Sequence, residues 1–204
     1  MPAKRIGILI SGRGSNMTAL IEACRDGRLE AEPALVIADN PTAPGLAKAR
    51  ELGVPARALP PRKWRTKLAG DDARDYAAAL ADAGVELVCL AGFMRVIKRP
   101  LLEAFPERIL NIHPSLLPAF TGLDAQRRAW EYGVRYAGCS VHFVDASLDG
   151  GPIIDQRVVE VRDDDTPQTL AARILEQEHQ LYPAAAGLVL AGRYRLEGRR
   201  VIRL

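Results

Sequence analysis

The stretch RIGILISGRGSNMTAL, residues 5–20, changes its hydrophobic pattern halfway along, and that change points to the architecture. Residues 5–10 are apolar at nearly every position, as in a strand covered on both faces. Gly12, Gly14 and Ser15 then form a short polar turn. From Met17 onward the apolar residues take helical spacing, with Leu20, Ile21 and Cys24 on one side, and the helix should stop near Gly27. Such a turn aims free backbone N–H groups, and the positive end of a helix dipole, at whatever sits above it. A phosphate is the natural guest, with Gly14, Ser15 and Asn16 as donors. A tight turn capped by Ser15 or Asn16 explains the same residues equally well. The sixth position of a dinucleotide fingerprint is Met17 rather than glycine, and a Walker lysine is absent, which disfavours dinucleotide and nucleoside-triphosphate loops.

Outward from this unit, strand and helix patterns alternate. ALVIAD (34–39) reads as a second strand, GLAKARELG (45–53) as a helix closed by Gly53, and PARAL (55–59) as a short third strand. DARDYAAALADAG (72–84) is a strong helical pattern, VELVCLAG (85–92) an apolar strand, RILNIH (108–113) the next strand, and LDAQRRAWEYG (123–133) another helix. Apolar strands separated by helices of about ten residues indicate a parallel sheet covered on both faces. GCSVHFV (138–144) and PIIDQRVVEV (152–161) are joined only by DASLDGG (145–151), which favours antiparallel pairing and makes the sheet mixed. A long helical region covers 166–192, with Thr166 as N-cap and Pro167 in the first turn. Pro183 should kink or interrupt it. RYRLEGRRVIRL (193–204) reads as a terminal hairpin turning near Glu197 and Gly198, its five arginines a solvated edge.

With 204 residues, 48% hydrophobic and 26% charged, the chain suits one globular core. A net charge of +3 favours anionic ligands slightly and is not the basic excess of a nucleic-acid binder. No apolar run is long enough for a membrane span, and the opening stretch is too short for a secretory signal. Cys24, Cys89 and Cys139 lie far apart in apolar stretches, as expected of packed, reduced thiols in the cytoplasm. His113, His142 and His179 show no ligand spacing, so no metal is expected.

Three polar positions stand out beside this frame. Asn111 and His113 alternate at the carboxyl end of a strand, so both face one side, and Pro114 forbids the ladder to continue. In an open parallel sheet that end is where ligands bind. An amide donor and an imidazole aimed at one point suit a carbonyl oxygen gaining charge, although a histidine satisfied by backbone groups fits the same stretch. Asp149 precedes two glycines, where a carboxylate can favour a protonated imidazole and orient it, or simply hold a turn. Asp145 has the same ambiguity, and His142, alternating with Ser140, reads as a strand-packing residue. Phe93, Met94, Val96 and Ile97 form either an apolar wall for a flat ring or a loop packed on its own core. Nothing local picks out Glu178 on the long helix.

Together LISGRGSNMTALI, VCLAGFMRVI, ILNIHPSLLPAF, SVHFVDASLDGGPII and EQEHQLYP, in this order, resemble the folate-dependent formyltransferases that act on glycinamide ribonucleotide in purine synthesis. The resemblance runs to about residue 190. It implies a Rossmann-like, doubly wound, mostly parallel α/β sheet with helices on both faces, forming a single formyltransferase domain. Within it, 1–100 would be a phosphate-binding βα half, 101–190 a catalytic and folate-binding half, and 191–204 the C-terminal hairpin. Asn111, His113 and Asp149 match the family's catalytic trio. The first two would stabilise a tetrahedral oxyanion, and Asp149 would favour protonated His113 and position it, directly or through an ordered water. Gly14, Ser15, Asn16 and Glu178 match its substrate contacts. Met94, Arg95, Val96, Ile97, Asn111 and the segment Asp145, Ala146, Ser147, Leu148 and Asp149 match its folate site. Arg74 is a further folate candidate, although the spacing around DDARDY departs from the family pattern. Thr121 before Gly122, where proline or lysine is usual, and Asp124, where histidine is frequent, are departures too. The co-substrate implied is 10-formyltetrahydrofolate, without metal, nucleic acid or membrane, in a monomer or homodimer.

Other readings predict other features. A tRNA formyltransferase needs an added nucleic-acid module, which the 15 or so residues after the long helical region do not supply. A formyltetrahydrofolate hydrolase usually carries a regulatory domain ahead of the first strand. A regulatory nucleotide-binding module leaves Asn111, His113 and Asp149 unexplained. An NAD-dependent dehydrogenase would use Asp39, at the end of the second strand, on its adenine ribose.

Overall fold

A computed structural model of the chain describes residues 3–204. Strand β1 (Lys4–Ile10) passes through the glycine turn into α1 (Ser15–Arg25). There follow β2 (Ala31–Ala38), α2 (Pro44–Glu51), β3 (Ala56–Ala58), β4 (Lys67–Leu68), α3 (Gly70–Asp82), β5 (Leu87–Leu90), β6 (Val96–Ile97) and α4 (Arg99–Ala104). The second half holds β7 (Ile109–His113), α5 (Ala125–Tyr132), β8 (Tyr136–Phe143), β9 (Ile153–Glu160), α6 (Pro167–Leu190), β10 (Tyr194–Glu197) and β11 (Arg200–Arg203).

Nine strands form one sheet in the order β10-β11-β9-β8-β7-β5-β1-β2-β3. From β7 through β5, β1 and β2 to β3 every pairing is parallel. The pairs β7–β8, β8–β9 and β10–β11 are antiparallel. The sheet is therefore mixed, as the short loop between β8 and β9 requires.

Alternation along the strands divides the core in two. Ile6, Ile8, Ile10, Val36, Cys89, Leu110 and Ile112 pack against α1, α2, α5 and α6 on one face. Leu9, Ile37, Val88, Leu90 and Ile109 pack against α3 and α4 on the other. Asn111 and His113 have the parity of Ile109, so they lie on the α3/α4 side. Helix α6 is anchored across the strand ends by Tyr182, whose buried hydroxyl sits 3.0 Å from the carbonyl oxygens of both Leu90 and Leu110.

Two local outcomes differ from the sequence pattern. Helix α4 and the two-residue pair β4–β6 occupy a stretch that reads as loop, because elements this short leave no periodicity. Helix α6 runs unbroken through Pro183. The proline removes one N–H, and its buried neighbours Leu181, Tyr182, Ala185 and Ala186 hold the helix together across the gap. Thr166 and Pro167 start the helix as their pattern indicates, and the cap is a reciprocal box closed by Thr169 in place of the usual Glu or Gln.

Candidate active site

The carboxyl ends of β1, β5 and β7 lie side by side, so the loops that follow them share one edge of the sheet. In the first loop Gly14 is the N-cap of α1 with φ 76°, a left-handed conformation open to glycine at little cost. No side chain caps this helix, which removes the cap explanation for Ser15 and Asn16. Among the described residues, the N–H groups of Gly14, Ser15 and Asn16 meet no protein acceptor and remain free for an anion. The Asn16 side chain turns inward instead. Its Nδ2 donates to Oε2 of Glu178 at 2.7 Å, while its Oδ1 is buried with no partner. Glu178 is itself buried, and desolvation pushes its carboxyl up to about 7 against the opposing bond from Asn16.

The second loop is tied to the first: Met94 N donates to Ser11 Oγ at 2.9 Å, and Ser11 N to the Gly92 carbonyl at 3.2 Å. Met94 is 60% exposed on this edge, whereas Ile97 is buried within the α3/α4 core. The Arg95 guanidinium is turned toward the carboxyl end of β2, where protein groups occupy it. Its Nε donates to Asp39 Oδ2 at 2.5 Å, and one terminal nitrogen donates to the carbonyls of Trp64 and Arg65. Asp39 is thus taken up by an internal ion pair, where a dinucleotide reading needs it for a ribose.

Asn111, His113 and Asp149 converge, and His142 joins them. The β7–β8 register sets Asn111 directly opposite His142 and His113 opposite Ser140. Nδ1 of His142 lies 2.8 Å from the Phe143 carbonyl; a carbonyl only accepts, so this nitrogen carries the proton. Nε2 is then an acceptor for Asn111 Nδ2 at 3.2 Å. Burial lowers the His142 pKa, despite the Phe143 carbonyl and Asp149, and keeps the ring neutral. By the same argument the His113 Nε2 donates to the Phe120 carbonyl at 2.9 Å. Its Nδ1 faces Asp149 Oδ2 at 3.6 Å, and that oxygen also accepts the Gly122 N–H at 2.8 Å. Asp149 Oδ1 lies 3.9 Å from His142 Nε2. Phe120 and Asp149 both have left-handed φ values, of 52° and 50°, although neither is glycine. Backbone strain here is local to the two residues that flank His113.

Other candidates stand apart from this cluster. Arg74 pairs with Asp71 on the exposed side of α3 and makes no ion pair with the loops at the strand ends. Asp145 folds back on its own loop, accepting from Ser147 N at 2.8 Å. With Ala146 it lines a cavity of about 400 Å³ bounded by Leu102, Phe105, Pro152 and Leu196, which none of Asn111, His113 and Asp149 lines. Leu148 is 56% exposed at the loop tip. Thr121, the departure noted above, offers its carbonyl to Arg128 at 2.6 Å. His142 is the residue that pattern reading missed. Its alternation with Ser140 was visible, but only the register shows that it faces Asn111. The thiols of Cys24, Cys89 and Cys139 are free, and burial pushes them up to about 11, 12 and 12. No group of three metal-binding side chains occurs among the described residues, and no helix there is long and apolar enough to cross a membrane.

Comparison with known proteins agrees with this geometry. The family model described as formyl transferase matches residues 4–186. A phosphoribosylglycinamide formyltransferase of Bacillus subtilis is 40% identical over 181 residues, covering 89% of this chain and 92% of its own. The human trifunctional purine biosynthetic protein adenosine-3 is 41% identical over 192 residues, 94% of this chain, and the chain spans only 19% of that protein's length. Among solved structures, glycinamide ribonucleotide transformylase 1 from Symbiobacterium toebii superposes with a TM-score of 0.94 at 51% identity, over 99% of this chain and 94% of that one. The strand order, the loops at the strand ends and these matches agree: the chain belongs to the formyl transferase family.

Proposed function

We propose that the chain transfers the formyl group of 10-formyltetrahydrofolate to the amine of glycinamide ribonucleotide, a step of purine synthesis. The observation that carries this reading is the cluster of Asn111, His113, His142 and Asp149 at the end of β7, beside a loop with free N–H groups. The Bacillus subtilis relative, named for this activity, supports it as well.

The residues divide the work as follows. Gly14, Ser15 and Asn16 hold the substrate phosphate, and Glu178, reached through Asn16, faces the amine or ribose region. The exposed Met94 and Leu148, with Val96, fit a flat apolar ring, and the backbone of Arg95, Ile97 and 145–149 encloses it. Attack by the amine nitrogen forms the new C–N bond and moves the carbonyl pair onto oxygen. Asn111 has one amide N–H held by His142 and a second free for that oxyanion, where one preorganised donor is worth about 100-fold in rate. With Nε2 occupied by Phe120, Nδ1 is the working edge of His113. From there it stabilises the oxyanion and relays a proton from the attacking amine to N10 as the old C–N bond breaks. The facing Asp149 carboxylate stabilises the imidazolium by simple Coulomb attraction. No metal enters the scheme. The free thiols fit a reducing compartment such as the cytoplasm.

The test is direct. Purified protein with both substrates, and no metal or ATP, should release N-formylglycinamide ribonucleotide, followed by absorbance of the deformylated folate. Folate turnover independent of the amine would identify a hydrolase instead.

A further inference from the structure

The Arg-rich terminal hairpin touches the Asp149 loop at one point and the strands on either side of it at two more. At the apex of its two-residue turn, Arg199 Nη2 donates to the Gly150 carbonyl at 2.6 Å. Strand β11 meets β9 in parallel at Arg200 and Ile153, where the chain leaves the loop. Tyr194 of β10 packs on Phe143, where the chain enters it, with ring centroids 5.5 Å apart.

These contacts matter because of what lies behind the loop. The cavity of about 400 Å³ separates Asp145, Ala146 and Pro152 from Leu196 and Gly198 of the hairpin. The two ends of the loop therefore border open space on the hairpin side, and discrete contacts bridge it. Asp149 needs such support, since its left-handed backbone is uphill for a non-glycine residue. Neither glycine beside Asp149 has room for a side chain: a Cβ at Gly150 would lie 2.3 Å from Ser147 Oγ, and one at Gly151 would lie 1.8 Å from the Phe143 carbonyl.

We propose that Arg199 is a positioning residue, a strut from the C-terminal hairpin that holds the Gly150 carbonyl and thereby sets Asp149 against His113. The strut adds to the formyl-transfer reading above and rests on it for its kinetic consequence. Arg199 touches no reacting atom, and its single exposed bond contributes little to global stability.

The test compares Arg199→Ala, Arg199→Lys and Arg203→Ala in the full chain. Arg203 ties the same hairpin to Asp155 at 2.7 Å, away from the loop. Arg199→Ala should lower kcat about fivefold and alter the pH–rate profile, with KM for glycinamide ribonucleotide and Tm unchanged. Arg199→Lys, which keeps a donor, should recover most of kcat, and Arg203→Ala should match wild type. Hydrogen–deuterium exchange gives a readout independent of activity: residues 119–123 and 145–151 should exchange faster in Arg199→Ala alone. Wild-type kcat and exchange in Arg199→Ala would overturn the strut, as would equal losses in the Arg199 and Arg203 variants. An inactive wild type whose loop still loosens in Arg199→Ala would overturn the formyl-transfer reading and leave the strut standing.

Discussion

Asn111 Nδ2 donates to Nε2 of His142 across the antiparallel β7–β8 pair at 3.2 Å, and this bond determines which way the asparagine amide faces. The His142 ring can accept there because its own proton is held on Nδ1 by the Phe143 carbonyl. An amide oriented this way keeps one N–H free at the strand end. A flipped amide would present its carbonyl to an oxyanion and repel it.

Replacing His142 should therefore act through Asn111. His142→Phe removes the acceptor and should lower kcat about tenfold with little change in KM. His142→Gln, which offers a side-chain oxygen as acceptor, should recover part of the loss. Burial keeps His142 neutral, so any pH–rate limb of the wild type should persist in His142→Gln. Disappearance of that limb in steady-state profiles would make His142 itself the titrating group.

Asn111→Ala and His113→Ala should each lose about 100-fold or more in kcat while substrate affinity changes little, since both contacts strengthen in the transition state. Single-turnover rates beside equilibrium titration with a folate analogue separate the two effects. Wild-type turnover in either variant would return that residue to a packing role.

Glu178 makes a prediction about stability and pH. Its carboxyl is raised from 4.5 to about 7 by burial, so the folded state holds its proton more tightly than the unfolded chain does. That contribution is fully present below about pH 4.5 and is lost as pH climbs to about 7. Glu178→Gln does not titrate, so it should gain on wild type across this window, by roughly 3 kcal/mol at pH 8. Urea unfolding at pH 5 and pH 8 measures the difference, and a gap independent of pH would contradict it.

Arg95→Ala should destabilise the fold by about 3 kcal/mol, because Asp39 would be left buried and unpaired. The same change frees the Trp64 and Arg65 carbonyls and should raise KM for the folate through a looser 94–97 segment. Denaturant midpoints report the first effect and initial rates the second. If Arg95→Ala leaves the midpoint at the wild-type value, Asp39 does not depend on this pair.

How much of this could be read beforehand differs from element to element. The glycine turn, the apolar strands and Thr166 with Pro167 are local features, and each appears in the structure where its pattern lies. Asn111 and His113 were recognisable as one pair because a period of two and Pro114 suffice to place them at a strand end. Helix α4 has only six residues and β4 and β6 two each, too few to impose a period. Pro183 does not interrupt α6, because burial of its neighbours outweighs one missing hydrogen bond.

Local chemistry in the sequence determined the alternating α/β order, the strand ends and the residue types available there. Periodicity and turn propensity act over a few neighbours, and for those properties a few neighbours are enough. Tertiary structure alone decided the pairings: Asn16 with Glu178, 162 residues away, Asn111 with His142, Arg95 with Asp39, and Arg199 with Gly150. Each depends on strand order and register, which long-range packing of the two core faces selects. Burial does the rest, turning an unremarkable helix glutamate into a carboxyl that titrates near neutrality and a strand histidine into a neutral acceptor.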